Sequence, residues 1–318
     1  MAKWWQPQVG TSWMIQLASS SSVSVNTSIP VTVYDLDLGG VSSTITAAAV
    51  KANNPDRKVM CYVNVGALET DGSRADQSKF LASDQGSRYP GWPDEVFLDI
   101  RSSNVRNLMQ ARFQAMKAKG CDGIDPDNMA LDYQGKSGFS PGLTEQDQVD
   151  YMKWFTTTIH ALGMGVGSKN GGEIIRKHPE LISLFDWVVI ESCVRFDECG
   201  LYDPFVQAGK PVFSIDYTNA GSTGGCTPFT GTIENACATL NSHNFEALIM
   251  TCDLDGSGVQ CRDFQRSAKS QVSITSVGTA TKATQAASAP TQKSTTTTSG
   301  ITERITFSLF SFFLLIAM

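Results

Sequence analysis

Short apolar runs recur along the chain, and eight of them have the length and the β-branched or aromatic content of strands. They are WMIQL (13–17), VTVYDLDL (31–38), VMCYVNV (59–65), GCDGID (120–125), GVGSK (165–169), WVVIES (187–192), PVFSID (211–216) and EALIMTC (246–252). Helical spacing of apolar positions falls between many of these runs, most clearly over 105–119, 144–162 and 172–184. The last of these contains Pro179, so a break is expected there. Alternating βα units imply a parallel sheet covered by helices. Eight such units point to a single (β/α)8 barrel. An open doubly wound sheet is the alternative, but it normally carries a glycine-rich phosphate loop. GMGVGS (163–168) lacks the last glycine of GxGxxG, and the GKS at 135–137 has Ala130 where a phosphate loop needs glycine.

Several of the predicted strands end on a polar side chain. Asp35 and Asp37 follow VTVY, Asn64 follows CYV, and Asp125 and Asp127 follow GCDGI. Lys169 and Asn170 follow GVGS, Glu191 follows WVVI, and Asp216 follows VFSI. In a barrel these ends converge on one mouth, where active sites form. Each residue alone could be an exposed turn residue. The series as a whole predicts a charged mouth.

Composition narrows the chemistry that such a mouth can perform. The 318 residues carry a formal charge of −6, and residues 1–270 hold 22 basic against 30 acidic side chains. An acidic body repels nucleic acid and attracts cationic ligands. Only three histidines are present (His160, His178 and His243), so acid–base work falls to carboxylates and no metal site is expected. Eight cysteines include the close pairs Cys193/Cys199, Cys226/Cys237 and Cys252/Cys261, which read as loop-closing disulfides in an oxidising compartment. The DLDGSGVQCRDF stretch (253–264) imitates a calcium loop, but Phe264 stands where a bidentate Glu is required; it reads as a turn closed by Cys252 and Cys261.

The composition changes near Ser270. Residues 271–300 contain fourteen Ser or Thr and no aromatic residue, the composition of a disordered stalk. The apolar run 305–318 is about fourteen residues, shorter than the roughly 17–25 of a spanning helix. Small residues, a polar spacer and a terminal apolar tail read as a GPI-anchor signal; a marginal membrane or core helix is the alternative. The domain expectation is therefore a barrel over 1–270, a stalk over 271–304 and a tail over 305–318. The start, MAKWWQPQVGTSWMIQL, has no apolar secretory segment, so either the start is internal or the tail reading is wrong.

Two sets of carboxylates invite catalytic roles. Pro126 pins the backbone between Asp125 and Asp127, which is expected to send the two acids in different directions, one of them into the site. Asn128 supplies an amide for orienting a neighbour or a sugar hydroxyl. Glu191 ends an apolar run, where burial would raise its pKa and suit it to donate a proton. One ionised and one protonated carboxyl across a bond are the equipment for glycoside hydrolysis.

The ordered set VTVYDLDL, KVMCYVNVGALE, GCDGIDPDN, GVGSKN, FDWVVIESC and GKPVFSIDY resembles glycoside hydrolase family 114, the endo-α-1,4-polygalactosaminidases, over about residues 4–262. The resemblance implies a (β/α)8 enzyme without cofactor that hydrolyses α-1,4-linked galactosamine in an exopolysaccharide. It implies that Asp127 and Glu191 are the catalytic pair, and that Asp37, Asp125, Lys169, Asn170 and Tyr217 contact substrate; Asn128, read from its amide, and Asp216 are expected beside them. Asp216 stands where the family usually has Glu, one methylene longer. A disulfide between Cys193 and Cys199 is implied as well. The expected partner is a cationic polysaccharide, bound by a monomer that is secreted or held at the cell surface by a GPI anchor. A barrel that binds polysaccharide without cleaving it is the alternative.

Overall fold

The computed structural model describes residues 4–18, 24–41, 43–129, 135–221 and 225–264. These lie in one compact unit. The expected stalk and tail lie outside the described residues. Eight parallel strands follow one another in space as in sequence: β1 (Trp13–Gln16), β2 (Val33–Leu36), β3 (Lys58–Asn64), β4 (Gly123–Asp127), β5 (Gly165–Lys169), β6 (Trp187–Glu191), β7 (Val212–Tyr217) and β8 (Glu246–Met250). Each matches one of the apolar runs read from the sequence. The order is that of a (β/α)8 barrel.

Closure between β8 and β1 is indirect. The segment after β8 turns back and pairs antiparallel with it at Val259–Gln260. The same segment meets β1: Leu17 and Ala18 donate their amides to the Leu254 carbonyl at 2.9 and 3.1 Å, and the Gln260 amide donates to the Trp13 carbonyl at 2.9 Å. The Trp13 indole donates to the Glu246 carbonyl at 2.7 Å.

The principal helices are α1 (Ala47–Asn53), α2 (Ser103–Ala118), α3 (Glu145–Ala161), α4 (Gly172–Lys177), α5 (Cys193–Phe196), α6 (Asp203–Gln207) and α7 (Ile233–Ser242). Thr46, Ser102, Thr144 and Thr232 cap α1, α2, α3 and α7 by accepting a backbone amide. The helical pattern over 172–184 is broken as expected: α4 stops before Pro179 and a 3-10 turn, Pro179–Ser183, takes over. Not foreseen was a three-stranded antiparallel excursion between β3 and α2, built from Ala67–Glu69, Gln85–Arg88 and Glu95–Leu98.

The period of two along each strand sorts the side chains between two cores. Val59, Cys61 and Val63 of β3 face the helices, whereas Met60 faces the barrel interior with Trp13, Val33, Trp187, Phe213 and Leu248. Trp187 fits there because β4 and β5 present glycine to it. A Cβ on Gly123, Gly165 or Gly167 would lie 2.5, 2.7 or 2.2 Å from the Trp187 ring. Below it Trp5 packs at 5.4 Å, and Asp186 accepts from Trp4 and Gln6, which holds the N-terminal segment across the base.

All eight cysteines pair, as Cys61–Cys121, Cys193–Cys199, Cys226–Cys252 and Cys237–Cys261. The pair implied by the resemblance, Cys193–Cys199, is present. Proximity in sequence left Cys61 and Cys121 unassigned and mispaired the last four: Cys226 and Cys252 lie in loops that follow the adjacent strands β7 and β8, and Cys237 on α7 meets the segment that closes the barrel.

Substituting Gly167→Ala should destabilise the fold by about 1–3 kcal/mol through overpacking against Trp187, measured by urea unfolding. Unchanged stability would contradict this account of the interior.

Candidate functional site

The same period of two places the charged residues. On β4, Gly123, Asp125 and Asp127 face inward while Ile124 packs with the helices. Pro126 therefore does not split its neighbours as expected; both carboxylates point into the barrel, and Asp125 lies deeper. Both reach Lys169 of β5, whose Nζ is 3.6 Å from Asp125 Oδ2, 3.5 Å from Asp127 Oδ1 and 3.6 Å from Glu191 Oε2. Lys169 is almost fully buried and Asp125 wholly so, but Asp127 and Glu191 keep 21% and 27% of their side-chain surface exposed. A substrate at the mouth can touch only these two members of the cluster.

At that range each attraction is worth about 4–5 kcal/mol for an effective dielectric near 20. Three together exceed the several kcal/mol of desolvating an ammonium. Burial alone would lower the Lys169 pKa, but Asp125, Asp127 and Glu191 raise it well above its usual value. Lys169 is a fixed cation.

One ammonium cannot neutralise every acid around it, and the acids divide accordingly. Burial would raise Glu191, but Lys169, with hydrogen bonds from Tyr217 (2.6 Å) and Asn170 (2.9 Å), holds it below the ordinary carboxylate value. This reverses the expectation that burial would leave Glu191 protonated; three donors outweigh the desolvation. Asn170 also accepts the Glu191 amide at 2.8 Å, a two-point clamp. Asp127 accepts from the Tyr62 hydroxyl at 2.9 Å.

Deeper down, the oxygens of Asp35 and Asp125 accept no hydrogen bond, and Asp125 has only its longer ion pair with Lys169. The two carboxyls face each other, so a bond between them needs a shared proton. Burial and the neighbouring Asp125 push Asp35 well up, and burial raises Asp125 to about 6 despite Lys169.

Glu95, on the excursion, completes the mouth. Its Oε2 accepts the side-chain amides of Asn64 and Asn128 at 3.1 and 3.2 Å. Burial first, then Asp127 and Glu69, raise its pKa to about 8.

Two residues expected at the cleft lie elsewhere. Asp37, just past the end of β2, accepts from Arg74 at 2.8 Å in a network with Glu69; Asp35, two residues earlier, is the one that points inward. Asp216 faces outward because Tyr217 faces inward. It accepts the Val194 amide at 3.1 Å and braces α5, and burial raises it to about 7. Asp125, Asn128, Lys169, Asn170 and Tyr217 are gathered with Asp127 and Glu191. Tyr62 went unnoticed, although its spacing of two from Asn64 placed it on the same face. Nothing in the local pattern marked Glu95.

The backbone turns sharply straight after these side chains. Asn128, Asn170 and Ser192 take φ of 55°, 50° and 58°, each directly after the last residue of β4, β5 or β6. Left-handed backbone at three non-glycine residues in register around one rim is the kind of local strain that functional sites hold. Asparagine tolerates it best.

Because Glu95, Asp216 and Asp125 are raised, the folded chain binds more protons than the unfolded chain from the ordinary carboxylate range up to about pH 8. Stability therefore falls as pH rises through that window. The melting temperature should be higher at pH 5 than at pH 8, and Asp216→Asn should flatten the slope. A melting temperature that climbs from pH 5 to pH 8 would contradict these assignments.

Known proteins share this fold. A family model described as glycoside-hydrolase family GH114 matches residues 1–266. The Aspergillus fumigatus protein Ega3, crystallised in complex with galactosamine, superposes with a TM-score of 0.70 at 34% identity, over 82% of this chain and 99% of that one. The glycoside hydrolase domain of PelA from Pseudomonas aeruginosa superposes with a TM-score of 0.55 at 17% identity, over 78% and 98% of the two chains, a likeness of fold. No curated protein shows a significant match.

Proposed function

Since the chain belongs to glycoside-hydrolase family GH114, and so is a glycoside hydrolase, we propose that it cleaves α-1,4-linked galactosamine polymers internally, with Asp127 and Glu191 as the catalytic pair. One observation carries this reading. A single buried ammonium, Lys169, contacts both acids, and both remain open at the mouth. The acidic body suits a polymer whose free amines are cationic, and the relative crystallised with galactosamine supports the choice of sugar.

Asp127 Oδ1 and Glu191 Oε2 each lie within 3.6 Å of one nitrogen, so they are at most twice that distance apart. This bound admits the roughly 5–5.5 Å of a double displacement and only the lower edge of the roughly 6.5–9.5 Å of single inversion. In the first step Asp127 attacks the anomeric carbon, the bond to the leaving sugar breaks, and the Glu191 proton passes to the leaving oxygen. In the second, Glu191 takes a proton from water, whose oxygen displaces Asp127. Tyr62 and Tyr217 hold the two carboxyls in line. Glu191 must carry a proton at the start, and Lys169 depresses its pKa, so kcat/KM should decline with rising pH from below the ordinary carboxylate pKa onward.

That same depression favours a second reading, in which Glu191 attacks and Asp127 carries the proton. Azide separates the two. With Asp127 as nucleophile, azide restores Asp127→Ala to give the β-glycosyl azide and Glu191→Ala to give the α-glycosyl azide; the opposite pairing means that the roles are exchanged.

The four disulfides fit an extracellular protein. We place its action outside the cell, on exopolysaccharide, with the GPI-anchor reading of the tail as part of the proposal.

Asp127→Asn and Glu191→Gln should each lower turnover of partly deacetylated polymer by at least about 10²-fold while leaving the melting temperature nearly unchanged. Mass spectrometry of released oligomers measures it. If either variant keeps most of its activity, the assignment fails.

A further inference from the structure

The excursion between β3 and α2 brings a tight turn, Trp92 to Glu95, to the mouth of the barrel. Trp92 accepts the Glu95 amide at 3.1 Å through its carbonyl, so the two residues are held as one unit. At one end of the turn Glu95 is tied by Asn64 and Asn128 beside Asp127. At the other end the Trp92 indole presses on Gly225, in the loop after β7. A Cβ there would lie 2.7 Å from Trp92 Cζ2, so the contact requires glycine. The next residue, Cys226, is disulfide-bonded to Cys252 and packs in the inner cluster with Tyr217, the donor to Glu191. The turn therefore spans from the side of one catalytic acid to the side of the other.

Two properties of this arch ask for a ligand. Trp92 is locked in place, yet 38% of it stays exposed, one of few large apolar side chains left so. Glu95 Oε2 takes both amides, while no described donor reaches Oε1 and the side chain remains partly open. The charged and titratable groups facing Glu95 are Asp127 of β4, Glu69 of the excursion, Tyr62 of β3 and Arg74. Arg74 is already paired with Asp37 and Glu69. An amino sugar offers what this pair lacks, since its ring has an apolar face for an indole and its ammonium is a donor for a carboxylate.

We propose that the Trp92–Glu95 turn is a hexosamine-binding subsite, with one sugar ring against the Trp92 indole and an ammonium group on Glu95 Oε1. The inference rests on the polygalactosamine reading above and deepens it, because it makes the turn the element that distinguishes free amine from acetamide. Glu95 holds its proton at neutral pH in the free protein, so binding an ammonium there expels that proton to solvent.

Calorimetric titration of Glu191→Gln protein, which binds without turnover, tests it. Free-amine and N-acetylated α-1,4-galactosamine oligomers are titrated at pH 7 in two buffers of different ionisation heat. Binding of the free-amine oligomer should release close to one proton. Adding Glu95→Gln should abolish that release and weaken binding about tenfold, leaving the acetylated oligomer unaffected. Adding Trp92→Ala should weaken both oligomers about tenfold and keep the proton release; this half-exposed residue tests the subsite independently if Glu95→Gln fails to fold. Where the unmodified chain cleaves the polymer but both turn variants bind it as their parent does, without proton release, the subsite is overturned and the function stands. Where the unmodified chain neither binds nor cleaves it, both fall.

Discussion

A single ammonium, Lys169, organises the mouth of this barrel. It is buried where no bulk water can solvate it, and three carboxylates from β4 and β6 converge on its Nζ at 3.5–3.6 Å. Removing it would leave buried acids repelling one another, a loss of the order of 3–5 kcal/mol for a broken buried ion pair. The acids differ in how far its charge and their other donors offset burial. Glu191, clamped beside it, is kept ionised, whereas Asp35 and Glu95, which it does not touch, keep their protons.

The frame around the lysine serves its placement. Trp187 fills the space beneath, and the glycines of β4 and β5 make room for it. Left-handed residues immediately after Asp127, Lys169 and Glu191 turn the chain off the rim, and two of them, Asn128 and Asn170, use their amides to hold carboxyls. Cys193–Cys199 and Cys226–Cys252 tie the loops after β6, β7 and β8. Rigid support of this kind holds reacting groups within the narrow tolerance that catalysis requires.

Much of this was legible in the sequence, because the barrel repeats a local signal. Each strand is a short apolar run with a polar end, and eight runs in order leave few topologies. The acids of β4 and β6, with Lys169 and Tyr217, could be placed by the same rule. What escaped was set by direction and by distant pairing. Asp37 and Asp216 sit at strand ends like their neighbours, but Asp37 shares the parity of Asp35 and lies past the end of β2, where Arg74 holds it, while the strand face of Asp216 depends on register, which turns it outward. Glu95 reaches the mouth through an antiparallel excursion whose pairing has no local periodicity strong enough to read. The disulfides Cys226–Cys252 and Cys237–Cys261 join segments adjacent only once the sheet has formed. The ionisation of Glu191 depended on three donors from two other strands and a loop, so burial alone pointed the wrong way.

The central claim is that one lysine holds two acids close enough to act on a single linkage by double displacement. Proton NMR of the products, recorded in the first minutes of cleavage before the sugar ends mutarotate, reads this directly. The account predicts that the new reducing ends appear as the α-anomer and only later equilibrate. The β-anomer appearing first would contradict it.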